Sequence, residues 1–105
     1  MKLFRVSRPE GDKIDYDEFD SFVCAAPESA AARRLHPRGR YCYVWNEDTR
    51  GWHWVDRDTD VPEESRCEYH SWTCDIDSLE VELIGTSPRP GYHGAVVILA
   101  SFNAG

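Results

Sequence analysis

Residues 67–74, Cys-Glu-Tyr-His-Ser-Trp-Thr-Cys, bring three side chains of metal-ligating type close together in sequence at Cys67, His70 and Cys74. Thiolate sulfur and imidazole nitrogen suit tetrahedral zinc, but a closed structural site needs a fourth ligand. Cys42, His53 or His36 could supply it only through the fold, and no paired Cys-x2-Cys knuckle accompanies the trio. The ordinary reading of the segment is reduced, partly buried cysteines beside a surface histidine. No cofactor is therefore expected, and Cys67, His70 and Cys74 remain the candidates for zinc. A thiol nucleophile would need a base, and the sequence alone assigns none.

Two further groups of residues could recognise a ligand. Arg33, Arg34, Arg38 and Arg40, with His36 among them, form the basic segment of the chain. With Tyr41 or Tyr43 beside them, these arginines could hold the phosphate and base of a nucleotide signal; otherwise they complement a helix end and a solvated loop. The opposite charge collects in Glu10–Asp20, where Glu10, Asp12, Asp15, Asp17, Glu18 and Asp20 face the single Lys13. So much like-charge repulsion suits an exposed loop. Asp15, Tyr16, Asp17, Glu18 and Asp20 are then candidate contacts for a cationic partner, with Trp52 and Trp54 as less salt-sensitive anchors.

Carboxylates are plentiful but not arranged for catalysis. Asp15, Asp17 and Asp20 lack the glycine and terminal glutamate of a calcium loop, and no phosphate-binding glycine loop, nucleophile elbow or metallohydrolase signature occurs. The expectation is a protein that is not an enzyme. Nineteen acidic residues against 12 Lys and Arg give a formal charge of −7 over 105 residues, which argues against direct binding to nucleic acid. Arg5 and Arg8 interrupt the start of the chain, so a signal peptide is not expected, and no segment is apolar enough to span a membrane. Cys24, Cys42, Cys67 and Cys74 would accordingly stay reduced in a cytoplasm.

Lys2–Ser7 alternates as a strand with Phe4 and Val6 inward, and Phe19–Ala25 reads as a second strand. Pro27, the alanines at 30–32 and the pair Pro37 and Gly39 bracket a short helix over 27–36. Arg40–Trp45 and Trp52–Asp56 form an aromatic hairpin, and Arg57–Cys74 is a long polar excursion. Leu79, Val81 and Leu83 alternate with Glu80 and Glu82 as a strand ended by Gly85, and Thr86–Gly94 is turn-rich. Ala95–Phe102, the longest uncharged run, predicts a strand of roughly 26 Å, buried on both faces and paired with the strand before it. These elements predict a single α+β domain, with a mainly antiparallel sheet of about four to six strands and one short helix packed on one face.

Tyr16-Asp17-Glu18-Phe19-Asp20-Ser21-Phe22-Val23, Arg34-Leu35-His36-Pro37, Val81-Glu82-Leu83-Ile84-Gly85 and Ile98-Leu99-Ala100-Ser101-Phe102-Asn103-Ala104-Gly105 resemble a group of small accessory proteins of tailed bacteriophages and prophages. The resemblance covers both ends of the chain and thins between Arg57 and Cys74. It implies a viral accessory protein acting in the cytoplasm of a bacterial host, and carries no residue-level activity with it. Together with the acidic charge, it leads to the expectation of a non-catalytic protein that binds a basic host protein, for example a defence effector, and inhibits or redirects it. The alternatives are sequestration of a nucleotide signal and a zinc-stabilised interaction module.

Overall fold

Alternation in β1 (Lys2–Ser7) turns Phe4 and Val6 to one side, where both are buried, and leaves Arg5 in water, while Lys2 is exposed at the first position of the strand. β2 (Glu18–Ala26) buries Phe22, Cys24 and Ala26 on the same side, and the two strands pair antiparallel with Phe4 opposite Cys24 and Val6 opposite Phe22. This hairpin forms the middle of a four-stranded sheet in the order β5-β1-β2-β6, with β5 at Glu80–Thr86 and β6 at Val96–Asn103. All neighbouring strands are antiparallel. A helix, α1 (Ser29–Arg33), packs against β1 and β2, and β3 (Tyr43–Asn46) and β4 (Gly51–Trp54) make a separate hairpin. The fold is the expected α+β domain. The computed structural model describes residues 1–14, 17–86 and 95–103, with side chains as far as Ser101, and Asp15, Tyr16, the turn-rich stretch 87–94 and Ala104–Gly105 lie outside the described residues.

The largest departure from the sequence reading concerns the run Ala95–Phe102. It forms β6 almost as expected, but at an edge of the sheet, paired among the described residues only with β2, and Ile98 and Leu99 are 58% and 68% exposed. Nor does it pair with the strand before it, because β1 and β2 lie between β5 and β6. An apolar run without alternation fits a strand with two dry faces, yet periodicity carries no information about which strand will be its neighbour. The core instead gathers around the β1–β2 hairpin and the aromatic hairpin, with Phe22, Trp52, Trp72, Ile76 and His36 among its buried members.

The helix is shorter than its predicted span of 27–36. Glu28 precedes it in extended conformation with no side-chain cap, and regular turns stop at Arg33. Leu35 and His36 then turn into the core, in keeping with the restriction that Pro37 places on the residue before it. Gly39, at φ +89°, closes the following turn by donating its N–H to the His36 carbonyl (2.8 Å).

Asn46 sets the turn between β3 and β4, its Oδ1 accepting the N–H groups of Asp48 (2.9 Å) and Thr49 (3.1 Å). Gly51 is required by close approach, since a Cβ there would lie 2.6 Å from Arg66 Nε and 3.1 Å from its Cβ. Tyr43 faces Trp54 and Trp45 faces Trp52 across the pair. The polar excursion that follows has one isolated bridge, Val55 to Pro62, and several carbonyls in and beside it accept from side chains. Trp52 Nε1 donates to the Thr73 carbonyl (2.8 Å), and Arg33 Nη1 donates to the carbonyls of Leu79 and of Ile76 (3.1 Å), in and beside the 3-10 turn Ile76–Ser78. No helix among the described residues is long and apolar enough to cross a membrane.

Trp52→Phe keeps a ring in this site but removes its N–H donor and leaves a gap. Thermal or denaturant unfolding is expected to show a loss of about 2–4 kcal/mol, combining a cavity with an orphaned carbonyl.

Candidate functional site

The trio Cys67, His70 and Cys74 is only partly brought together. His70 Nε2 lies 3.4 Å from Cys74 Sγ, which also accepts from Arg66 Nη2 at 3.3 Å. Cys67 points elsewhere, donating from Sγ to the Tyr69 carbonyl (3.3 Å). Among the described residues no three His, Cys, Asp or Glu side chains converge at a spacing that would hold a metal ion. His70 itself is a correction: it is 5% exposed rather than a surface histidine. Burial lowers its pKa to about 4, with the guanidinium of Arg66 adding to the effect.

The other two interior histidines act as cross-links. His36, fully buried, accepts the Arg38 N–H at Nδ1 (3.1 Å), so Nε2 carries the proton that is donated to the His70 carbonyl (2.7 Å). Its ring packs on Tyr43, Trp52 and His70, with centroids 4.4, 5.1 and 5.5 Å away. Burial, followed by repulsion from His70, lowers its pKa to about 3. His53 spans the Thr49 hydroxyl and the Glu63 carbonyl, each at 2.7 Å. Both of its ring nitrogens are thus used within the fold.

The expected partner-binding residues separate into exposed and buried groups. Asp17 and Asp20 are exposed, while Glu18 is half-buried against Arg8 Nη1 (3.2 Å), whose Nε also holds Asp12 (2.8 Å). Trp54 is 39% exposed and stays available, but Trp52 is fully buried and cannot be an anchor. Of the basic set, Arg33 is committed to backbone carbonyls and Arg34 to Glu47 and the Ala30 carbonyl, and Tyr43 is buried. Arg38, Arg40 and Tyr41 remain at the surface, bordering a cleft of about 450 Å³ whose apolar side is Leu35, Pro37 and Ala95–Val97. Arg40 stacks on the Tyr41 ring, 5.1 Å from its centroid.

Sequence reasoning missed the neighbour of the acidic loop. The Phe19 N–H donates to the Ser71 carbonyl (3.0 Å), drawing the 68–72 segment against the start of β2. Glu18, Glu68, Tyr69, His70, Ser71 and Trp72 then line a cleft of about 150 Å³. Tyr69 stands 86% exposed at its rim, and Asp17 and Ser71 both adopt left-handed backbone conformations, at φ 61° and 65°. His70 Nδ1 and Trp72 Nε1 are buried without a hydrogen-bond partner. The only signal in sequence was an aromatic residue in a polar stretch with no apolar alternation to bury it.

The buried histidines predict acid sensitivity. Below the unfolded pKa of about 6.5 the unfolded chain takes up protons that the folded chain refuses, so their contribution is complete above that pH. It is lost as pH falls from 6.5 toward about 4 for His70 and about 3 for His36. Stability measured by chemical denaturation should decline between pH 6.5 and 5 on the order of 1 kcal/mol per pH unit for each histidine. His36→Gln should be less stable at pH 7 but show a shallower decline.

No family model, no curated protein and no solved structure matches the chain.

Proposed function

We propose that this chain is a non-catalytic accessory protein of the tailed-phage type that binds a basic surface on a host protein in a bacterial cytoplasm and inhibits or redirects it. The observation that carries the reading is Tyr69, 86% exposed at the rim of a cleft that Glu18 and Glu68 also line, with Glu18 flanked in sequence by the exposed Asp17. A large exposed ring in a cleft with two carboxylates combines an anchor with attraction for cations, and the anchor persists when salt screens the charge. The association is expected to be steered by the acidic residues and held by the ring.

Affinity capture from a bacterial host lysate tests this reading. A retained protein should bind Tyr69→Ala about tenfold more weakly or worse, and Glu68→Lys should weaken capture most at low ionic strength. No retained protein, or retention indifferent to both changes, overturns it.

A second reading, sequestration of a nucleotide, is favoured by the 450 Å³ cleft with Arg38, Arg40 and Tyr41 on its rim, a size ordinary for small-molecule sites. It predicts that nucleotides raise the melting temperature of the isolated protein and that Arg40→Gln removes the shift. The absence of any shift with mononucleotides and cyclic dinucleotides rejects it.

A further inference from the structure

β6 leaves one side of its backbone open among the described residues. Val96–Asn103 pairs on one side with β2 and, among the described residues, has no strand on the other. Its sequence, Val-Val-Ile-Leu-Ala-Ser-Phe-Asn, contains no charge and no proline, the usual means of discouraging another chain from pairing. A shift in register leaves Ile98 as an extra residue between Val97 and Leu99, and Ile98 and Leu99 are the exposed apolar pair of the strand. The opposite edge, β5, differs in carrying Glu80 and Glu82.

We propose that β6 pairs antiparallel with β6 of a second copy of this chain, joining two four-stranded sheets into one across a two-fold axis. Only an extended segment can satisfy the alternating N–H and C=O groups of an open edge, so the occupant is a strand. It must also be apolar and tolerate an uncharged neighbour, and β6 meets both conditions by itself. Charge elsewhere fits the same choice. Asn103, at the carboxyl end of β6, lies opposite Glu18 and beside the acidic Asp17 and Asp20. The amino end, Ala95–Val97, shares a cleft with Arg38 and Arg40. Antiparallel self-pairing sets the acidic end of each copy beside the basic end of the other, twice, whereas a parallel arrangement would oppose like charges. The contact is isologous and therefore closes at two copies.

Sedimentation equilibrium of the full chain over a range of concentrations tests the proposal. The mass is expected to rise from 12.1 kDa to twice that value. Leu99→Lys, a charge placed at an already exposed position, should hold the protein at the single-chain mass, and Leu83→Lys on the opposite edge should leave the doubling intact. Hydrogen exchange of wild-type amides supplies a readout without substitution: those of 96–101 should exchange more slowly at high concentration. A chain that stays single throughout, a dimer that survives Leu99→Lys, open-ended polymers, or exchange at β6 independent of concentration would each overturn the proposal. Capture of a host protein by the Tyr69 cleft is scored separately, through Tyr69→Ala, so failure of self-pairing and failure of the proposed function can be told apart.

Discussion

Side-chain nitrogen donors reaching the carbonyls of an irregular segment form the constraint on which the rest of this structure depends. The stretch between β4 and β5 has almost no ladder of its own, yet part of it lies in the core, where an unpaired carbonyl costs as much as a lost hydrogen bond. His36, His53, Trp52 and Arg33 each donate to a carbonyl in or beside it, at His70, Glu63, Thr73 and Leu79 respectively. These four donors come from the helix, the turn after it and the aromatic hairpin. The same bonds therefore fix those elements against one another and against the sheet. His36 occupies the central position, since its two nitrogens join the Arg38 N–H to the His70 carbonyl while its faces pack on aromatic rings.

That arrangement explains why residues suited to chemistry are mostly occupied with structure. An imidazole whose two nitrogens are both engaged in hydrogen bonds is a poor ligand and a poor base. Some of the polar groups at the surface border two clefts. One joins the start of β2 to the 68–72 segment and is acidic, with Tyr69 at its rim; the other joins the turn after α1 to the start of β6 and is basic. They lie toward opposite ends of β6. A dimer built on that strand would bring unlike patches from two copies together, so recognition and assembly would be coupled through one edge.

Much of the fold was readable along the chain. Lys2–Ser7, the strand at Phe19–Ala25, the aromatic hairpin and the charged strand through Glu80 and Glu82 each carry a local periodicity, and each forms where that pattern predicts. Among the candidate sites, the acidic loop was legible because exposed charge is a property of composition. Tyr69 was not, because its significance comes from a backbone hydrogen bond between Phe19 and Ser71, residues far apart in sequence. The burial of Trp52 and Tyr43 was hidden for a related reason. An aromatic strand looks the same whether its face meets water or a loop, and here the excursion through Trp72 covers it.

By itself, then, the sequence determined the kind and approximate place of each regular element, the antiparallel α+β character and the acidic surface, because these follow from neighbours a few residues apart. Tertiary structure alone decided the strand order, which sent the most apolar run to an edge. It also decided which histidines and tryptophans are interior and which side chains share a cleft. Those outcomes depend on pairing between segments distant in the chain, where hydrogen-bond satisfaction of the whole, and no local pattern, selects the arrangement.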